Sequence, residues 1–267
     1  MIVDIYNLVL FEPLFNALVF IYNYIPNLGV AIIILTLIIK FILYIPSRSS
    51  ITSQKKLQET QPKLKAIQDK YKNNKEELGR QLMKFYKDNK VNPFSSCLPL
   101  LLQLPILIAL YRVFLAVAQT DPSTFILVDE QIQHLYEPMR EIFSSKAINP
   151  FFFGEFALAD LSKTGNFVLA AMAGAAQFWQ SKMLMSKKPP QVPGAKDESM
   201  MAGMNKQMTY FMPLITVFFA YQFPAGLALY WFISTLFSAL QQLYLFRKDK
   251  KPEVEVISND TKKTGHN

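Results

Sequence analysis

Lys40 sets a full charge inside the run LGVAIIILTLIIKFILYI, which extends from Leu28 to Ile45 and is otherwise almost wholly apolar. A run of about that length crosses the hydrocarbon core of a bilayer. At about 1.5 Å per residue, Lys40 lies roughly 18 Å from Leu28 and roughly 10 Å from Ser47, off centre but within the apolar layer. A charge at such a depth is costly unless it faces water, a partner or a groove. Two readings stay open from this helix alone. The lysine can snorkel toward the Ser47 interface, or it can line a hydrated path between helices.

Other polar groups fall at a similar depth. Thr36 precedes Lys40 by one turn, and Gln103 and Thr216 stand in two further apolar runs. Gln177 and Gln180 lie roughly 18 and 22 Å along another, a depth that matches Lys40. In the last apolar run Tyr230, Ser234, Ser238 and Gln241 recur at helical spacing on one face, with Trp231 and Thr235 beside them. A hydroxyl can bond its own helix carbonyl, so each Ser or Thr alone reads as structural. Glutamines cannot hide so easily, and three of them level with a lysine favour a shared wet cavity. Arg112, near the far end of its run, reads as a snorkelling residue.

This constellation does not suit bond-making chemistry. The two histidines, His134 and His266, lie outside the apolar runs, and Cys97 is the single cysteine. No acid falls within a predicted span, and no glycine-rich loop could cradle a phosphate. The reading is therefore of a protein that is not an enzyme and uses no cofactor, metal or nucleotide, with no DNA among its partners. The N-terminus MIVDIYNLVLF has neither a basic region nor a small-residue cleavage site, so the chain is read as mature from Met1.

The elements that must position these residues follow from hydropathy. Half of the chain is hydrophobic, with 22 Phe, yet the net charge is +8. The bases are segregated into blocks between apolar runs, the pattern of a polytopic membrane protein. Residues 1–27 are expected to hold an interfacial helix over 9–25, broken by Pro13 and turned at Pro26. The first span is 28–46. Residues 47–92 carry twelve Lys and Arg against five Asp and Glu. Their apolar stripes, Leu57–Leu64–Ile67–Tyr71 and Leu78–Leu82–Phe85–Tyr86, are separated by Asn73–Asn74 and predict a two-helix hairpin. Pro62 is expected to bend its first arm, and the Ser47–Ser50 and Lys90–Asn92 attachments are expected to be mobile. The second span is 94–118, with Pro99 and Pro105 inside. Residues 119–164 form an acidic connection, and the third span, 165–185, is rich in Ala and Gly that let a neighbour approach. A loop over 186–206 leads to the fourth span at 207–222. Pro224–Gly226 turns the chain into the fifth at 225–246, and a basic tail occupies 247–267. The basic blocks mark the cytoplasmic side, so the N-terminus is outside, the C-terminus is cytoplasmic and five spans connect them.

Several segments resemble the YidC family of membrane protein insertases and its mitochondrial and chloroplast relatives. They are LTLIIKFILYIP, QPKLKAIQDKY, KVNPFSSCLPLLLQLPILIALY and MPLITVFFAYQFPAGLALYWFIST, and the likeness covers roughly residues 9–247. The resemblance implies an all-α, polytopic membrane protein. Five transmembrane helices would surround an inner-leaflet hydrophilic groove, open to cytoplasm and lipid, with a cytoplasmic two-helix hairpin. Where the family's groove carries an arginine in its first core helix, this chain has Lys40, which keeps the charge and loses the bidentate fork. Thr36 and Trp231 match other groove positions. The implied groove set is Lys40, Thr36, Gln103, Gln177, Gln180, Tyr230, Trp231, Ser234 and Ser238.

The implied function is to help insert, fold and assemble integral membrane proteins in the bacterial cell membrane, without nucleotide hydrolysis. The implied partners are nascent membrane-protein clients and the lipid bilayer, with the ribosome and the Sec translocon as further candidates. The large extracytoplasmic domain of some members and the lipoprotein anchor of others are not expected. A solute or ion transporter and a lipid scramblase are the alternatives. The first ordinarily shows inverted repeats and buried acids, neither of which is present in the spans. Methionines around the 186–206 loop, Met183 to Met212, read as core or lipid-facing residues first and as an adaptable client surface second.

Overall fold

The structure, a computed structural model, describes residues 2–89, 98–121, 124–150, 160–184 and 200–248. Among these residues the regular elements are helices, and Thr120 and Leu127 form an isolated antiparallel bridge.

The N-terminal apolar stretch is one helical course. It comprises α1 (Ile2–Tyr6), a π-turn (Asn7–Phe11) and α2 (Glu12–Tyr24). Pro13 lies in the first turn of α2 and has no N–H to return to Val9. The helix widens just before it, where the Glu12 N–H reaches back five residues to the Asn7 carbonyl. The expected break at Pro13 is thus absorbed as a π-turn, and the course starts well before residue 9.

The Asn27 side chain caps α3 (Leu28–Ile42) by accepting from the Val30 N–H at 3.1 Å. α3 stops at Leu43, earlier than the expected 46, because Pro46 cannot donate to Ile42. The chain then bends by 68° into α4 (Tyr44–Tyr71). Ser47–Ser50, expected as a mobile attachment, are helical residues of α4. A short turn leads to α5 (Lys75–Asp88), which contacts α4. Asn74 explains the break between them, since its side chain accepts from the Glu77 N–H at 3.1 Å. Lys90–Asn92 and residues 94–97 lie outside the described residues.

α6 (Leu98–Ala118) carries Pro105 within it. Two short helices, α7 (Asp129–Ile132) and α8 (Glu137–Phe143), punctuate the acidic connection. α9 (Phe167–Leu184) is followed by α10 (Met200–Gln222), which begins ahead of the expected 207, and by α11 (Ala225–Lys248). Among the described residues two helical stretches, Val3–Tyr24 and Leu101–Ala118, are long and apolar enough to cross a membrane. The bent pair Leu28–Ile42 with Tyr44–Thr60 makes a third if it is one span. The polar residues within α9, α10 and α11 lower their hydropathy.

The core unites distant parts of the chain. Phe15 and Leu18 of α2, Ile32 and Leu35 of α3, Leu110 and Phe114 of α6, and Leu227 and Tyr230 of α11 belong to one buried cluster. Leu127, Leu135, Phe143, Ile148 and Leu161 from the acidic connection join it. That connection is therefore a packed cap. Polar bonds fasten it. Buried Asn16 donates to the Glu12 and His134 carbonyls at 2.8 and 2.9 Å and accepts from the Tyr136 N–H at 2.7 Å. At the turn between α10 and α11, the Gly226 N–H reaches the Leu161 carbonyl at 2.9 Å and the Ala225 N–H reaches that of Lys163 at 2.8 Å.

Two glycines permit close approach. A Cβ on Gly174 of α9 would stand 2.3 Å from Val217 Cγ2 of α10, so only glycine fits there. A Cβ on Gly226 would meet Ile32, the Leu161 carbonyl and Phe114 at 3.2 to 3.3 Å.

Candidate functional site

One face of α11 gathers most of the polar residues singled out from sequence. Tyr230 is buried, and its hydroxyl accepts from the Gln103 side-chain N–H of α6 and interacts with Ser234, one turn along α11. One turn on, the Ser238 hydroxyl donates to the Ser234 carbonyl at 2.9 Å. Lys40 Nζ of α3 donates to the same Ser238 oxygen at 3.1 Å. Further along, Gln241 accepts from the Ser47 hydroxyl at 2.9 Å, and its Nε2 lies 3.4 Å from the Tyr44 carbonyl. The result is a polar seam between α11 and the facing helices α3, α4 and α6.

The helices position this seam for simple reasons. Residues 230, 234, 238 and 241 recur at the helical period, so one rotation of α11 turns them all inward. The 68° bend after α3 lays the start of α4 against the end of α11, bringing Ser47 and Tyr44 to Gln241. Chemically the seam offers amide, hydroxyl and ammonium groups without a carboxylate. Such a set can hold water, backbone carbonyls or acidic side chains, and it has no general base for covalent chemistry.

The nine expected residues divide. Gln103, Tyr230, Ser234, Ser238 and Lys40 come together in the seam. Lys40 therefore has a partner on another helix, Ser238 of α11. Thr36 is fully buried, and its hydroxyl donates to the Ile32 carbonyl of its own helix at 2.6 Å. That is the structural role a helical threonine ordinarily has. Trp231 is half-buried beside the seam. Gln177 donates to Ser181 on its own helix at 3.5 Å, and Gln180 is half-buried. No hydrogen bond among the described residues joins either glutamine to the seam.

Two contributors escaped the sequence reading. Ser47 reads from sequence as part of an attachment, and the bend after α3 is what makes it face α11. Gln242 is 1% exposed and its Nε2 finds no acceptor among the described residues. It shares a second inward face with Thr235 and Ala239, both buried. The spacing of 235, 239 and 242 is itself helical, and it marks this second face in the sequence. Arg112 donates to Asn7 Oδ1 and lies 4.6 Å from the centre of the Phe11 ring.

With that geometry in view, comparison with known proteins settles the kinship. The family model described as 60Kd inner membrane protein matches residues 20–252. The chain belongs to the 60Kd inner membrane protein family. Membership and the apolar helices together mark an inner-membrane protein. Among curated relatives, the "Membrane protein insertase YidC" of Lawsonia intracellularis is 34% identical over 238 residues, 89% of this chain and 38% of the relative. The protein of that name from Geobacter sulfurreducens is 32% identical over 245 residues, 91% of this chain and 38% of its own. That of Histophilus somni strain 129Pt is 35% identical over 237 residues, 88% and 36% respectively. This family member thus corresponds to a little over a third of the length of the relatives it matches.

Proposed function

We propose that this protein is a membrane-protein insertase and chaperone. It helps client segments enter, fold and assemble in the bilayer through a hydrated groove, without nucleotide hydrolysis. The observation that carries this reading is the contact between Lys40 and Ser238, which sits in a seam of hydroxyl and amide groups deep in otherwise apolar helices. The name shared by the relatives adds support.

In this reading α3, α6, α9, α10 and α11 are the five spans, with the N-terminus outside and the C-terminus cytoplasmic. The hairpin of α4 and α5 lies on the cytoplasmic side near the groove mouth. The half-buried members, Lys40, Gln103 and Ser238, give water and client access, while Tyr230 and Ser234 form the packed wall. Gln177, Gln180 and Trp231 extend the groove on its α9 side. An incoming segment with a short polar tail places that tail against the seam and its apolar part against lipid. Water in the groove lowers the cost of carrying polar residues partway across. Partitioning of the client's apolar surface supplies the drive, about 25 cal/mol per Å². The packed cap formed by the described residues 119–121, 124–150 and 160–164 keeps the far side shut. Nascent membrane proteins and the bilayer are the partners, with the ribosome and the Sec translocon as further ones.

Site-specific crosslinking of a stalled single-span client tests this. Contacts are expected from positions beside Lys40, Gln177 and Trp231. Contacts confined to the 119–164 cap would sink the proposal. Normal client insertion in depleted cells, with only a solute or lipid imbalance, would favour a transporter or scramblase.

A further inference from the structure

Arg112 is a second cation set well inside an apolar helix, and its surroundings differ from those of Lys40. It lies six residues before the end of α6 at Ala118, about 9 Å along the axis. One guanidinium N–H goes to Asn7 Oδ1, and the cation stands 4.6 Å from the Phe11 ring centre and 6.0 Å from that of Tyr6. The Tyr6 hydroxyl donates to the Pro105 carbonyl at 3.1 Å, which ties α1 to α6. The π-turn Asn7–Phe11 presents both Asn7 and Phe11 to the arginine. A neutral amide and two rings orient this cation without neutralising it. Among the described residues no carboxylate pairs with Arg112.

The exposed stripe beneath it points to an occupant. Leu101, Leu104 and Ile108 are exposed, and with Arg112 they recur at intervals of three, four and four along α6. They form one face, with half-buried Arg112 at its end. An apolar strip capped by an unneutralised guanidinium is complementary to an amphiphile with an anionic head. The remaining N–H groups can grip two oxygens of a phosphodiester in the fork geometry that arginine favours. An acyl chain can then lie along Ile108, Leu104 and Leu101.

We propose that Arg112, Asn7 and the rings of Tyr6 and Phe11 form a binding site for the phosphate of an anionic glycerophospholipid. One lipid held there bridges the N-terminal helix and α6. The site lies apart from the Lys40 seam, and it rests on the chain's residence in lipid, whatever its activity.

Native mass spectrometry of the full chain in detergent tests this, with phosphatidylglycerol, phosphatidylcholine and diacylglycerol each titrated in turn. One phosphatidylglycerol should be retained about fivefold or more better than either other lipid. Arg112→Gln should abolish that preference, and Arg112→Lys should keep part of it. Equal retention of diacylglycerol or phosphatidylcholine by the wild-type chain would overturn the proposal, independently of how any variant folds. So would an undiminished preference in Arg112→Gln. Displacement of the lipid by millimolar inorganic phosphate would reduce the site to one for a free anion and overturn the lipid assignment.

Discussion

Ser238→Ala in two backgrounds measures what Lys40 contributes to the seam. Among the described residues Lys40 Nζ has one hydrogen-bond acceptor, the Ser238 hydroxyl at 3.1 Å, and that hydroxyl gives its own proton to the Ser234 carbonyl. Ser238→Ala deletes the acceptor and leaves the ammonium half-buried. A hydrogen bond to a charged group contributes about 1.5–3 kcal/mol. The Ser238–Ser234 bond is local to the helix and contributes at most about 0.5–1 kcal/mol. Ser238→Ala should therefore destabilise the wild-type chain by about 1.5–3 kcal/mol, and a Lys40→Met chain by less than about 1 kcal/mol. The coupling between the two sites is the difference, about 1–2 kcal/mol. Lys40→Met alone should be near neutral or stabilising. It loses that bond but also removes an intramembrane lysine, whose insertion costs about 2.5–3.5 kcal/mol at a span centre. Unfolding of all four proteins in one detergent, followed by heat or denaturant, gives the cycle. In complementation of insertase-depleted cells, Lys40→Met should fail with acid-tailed clients despite its retained stability, and Lys40→Arg should succeed. An equal cost for Ser238→Ala in both backgrounds would refute the argument, because Lys40 would then be solvated by water instead of by Ser238.

Two further outcomes follow from the packing. Gly174→Leu should destabilise the protein by about 1–3 kcal/mol or more by overpacking, because even a Cβ meets Val217 at 2.3 Å. A paired Val217→Ala should recover part of this in the same unfolding measurement. In the cap, burial works to raise the Asp160 pKa. The Ser162 hydroxyl and N–H and the Lys163 ammonium overcome it, and the carboxyl is held below its ordinary value. A lowered carboxylate pKa gives stability that is present above the unfolded value and lost as pH falls through the folded one. Wild type should thus exceed Asp160→Asn by about 1 kcal/mol above pH about 5, with the gap closing below about pH 4. A gap that is independent of pH would count against the ionic role.

Membrane character was legible in the sequence because hydropathy is a local property: a segment's partition into lipid depends mainly on its own side chains. The inward face of α11 was legible for a related reason, since helical periodicity alone places Tyr230, Ser234, Ser238 and Gln241 together. The Asn73–Asn74 break was readable because a capping side chain acts within three residues. Contiguous motifs such as KVNPFSSCLPLLLQLPILIALY made the family legible too. Tertiary structure decided what no local rule reaches. The bend after α3 turned Ser47 from a linker residue into a partner of Gln241. Packing gave Lys40 a hydroxyl 198 positions away, and it left Thr36 bonded to its own helix. Depth measured along separate helices put Gln177 and Gln180 level with the lysine, but equal depth does not determine which way each helix is rotated. The acidic connection looked like a loop by composition, yet Leu135, Phe143 and Ile148 bury themselves in the common core. Those apolar residues are too sparse to form a span, so only the surface offered by the assembled helices could make a cap of them.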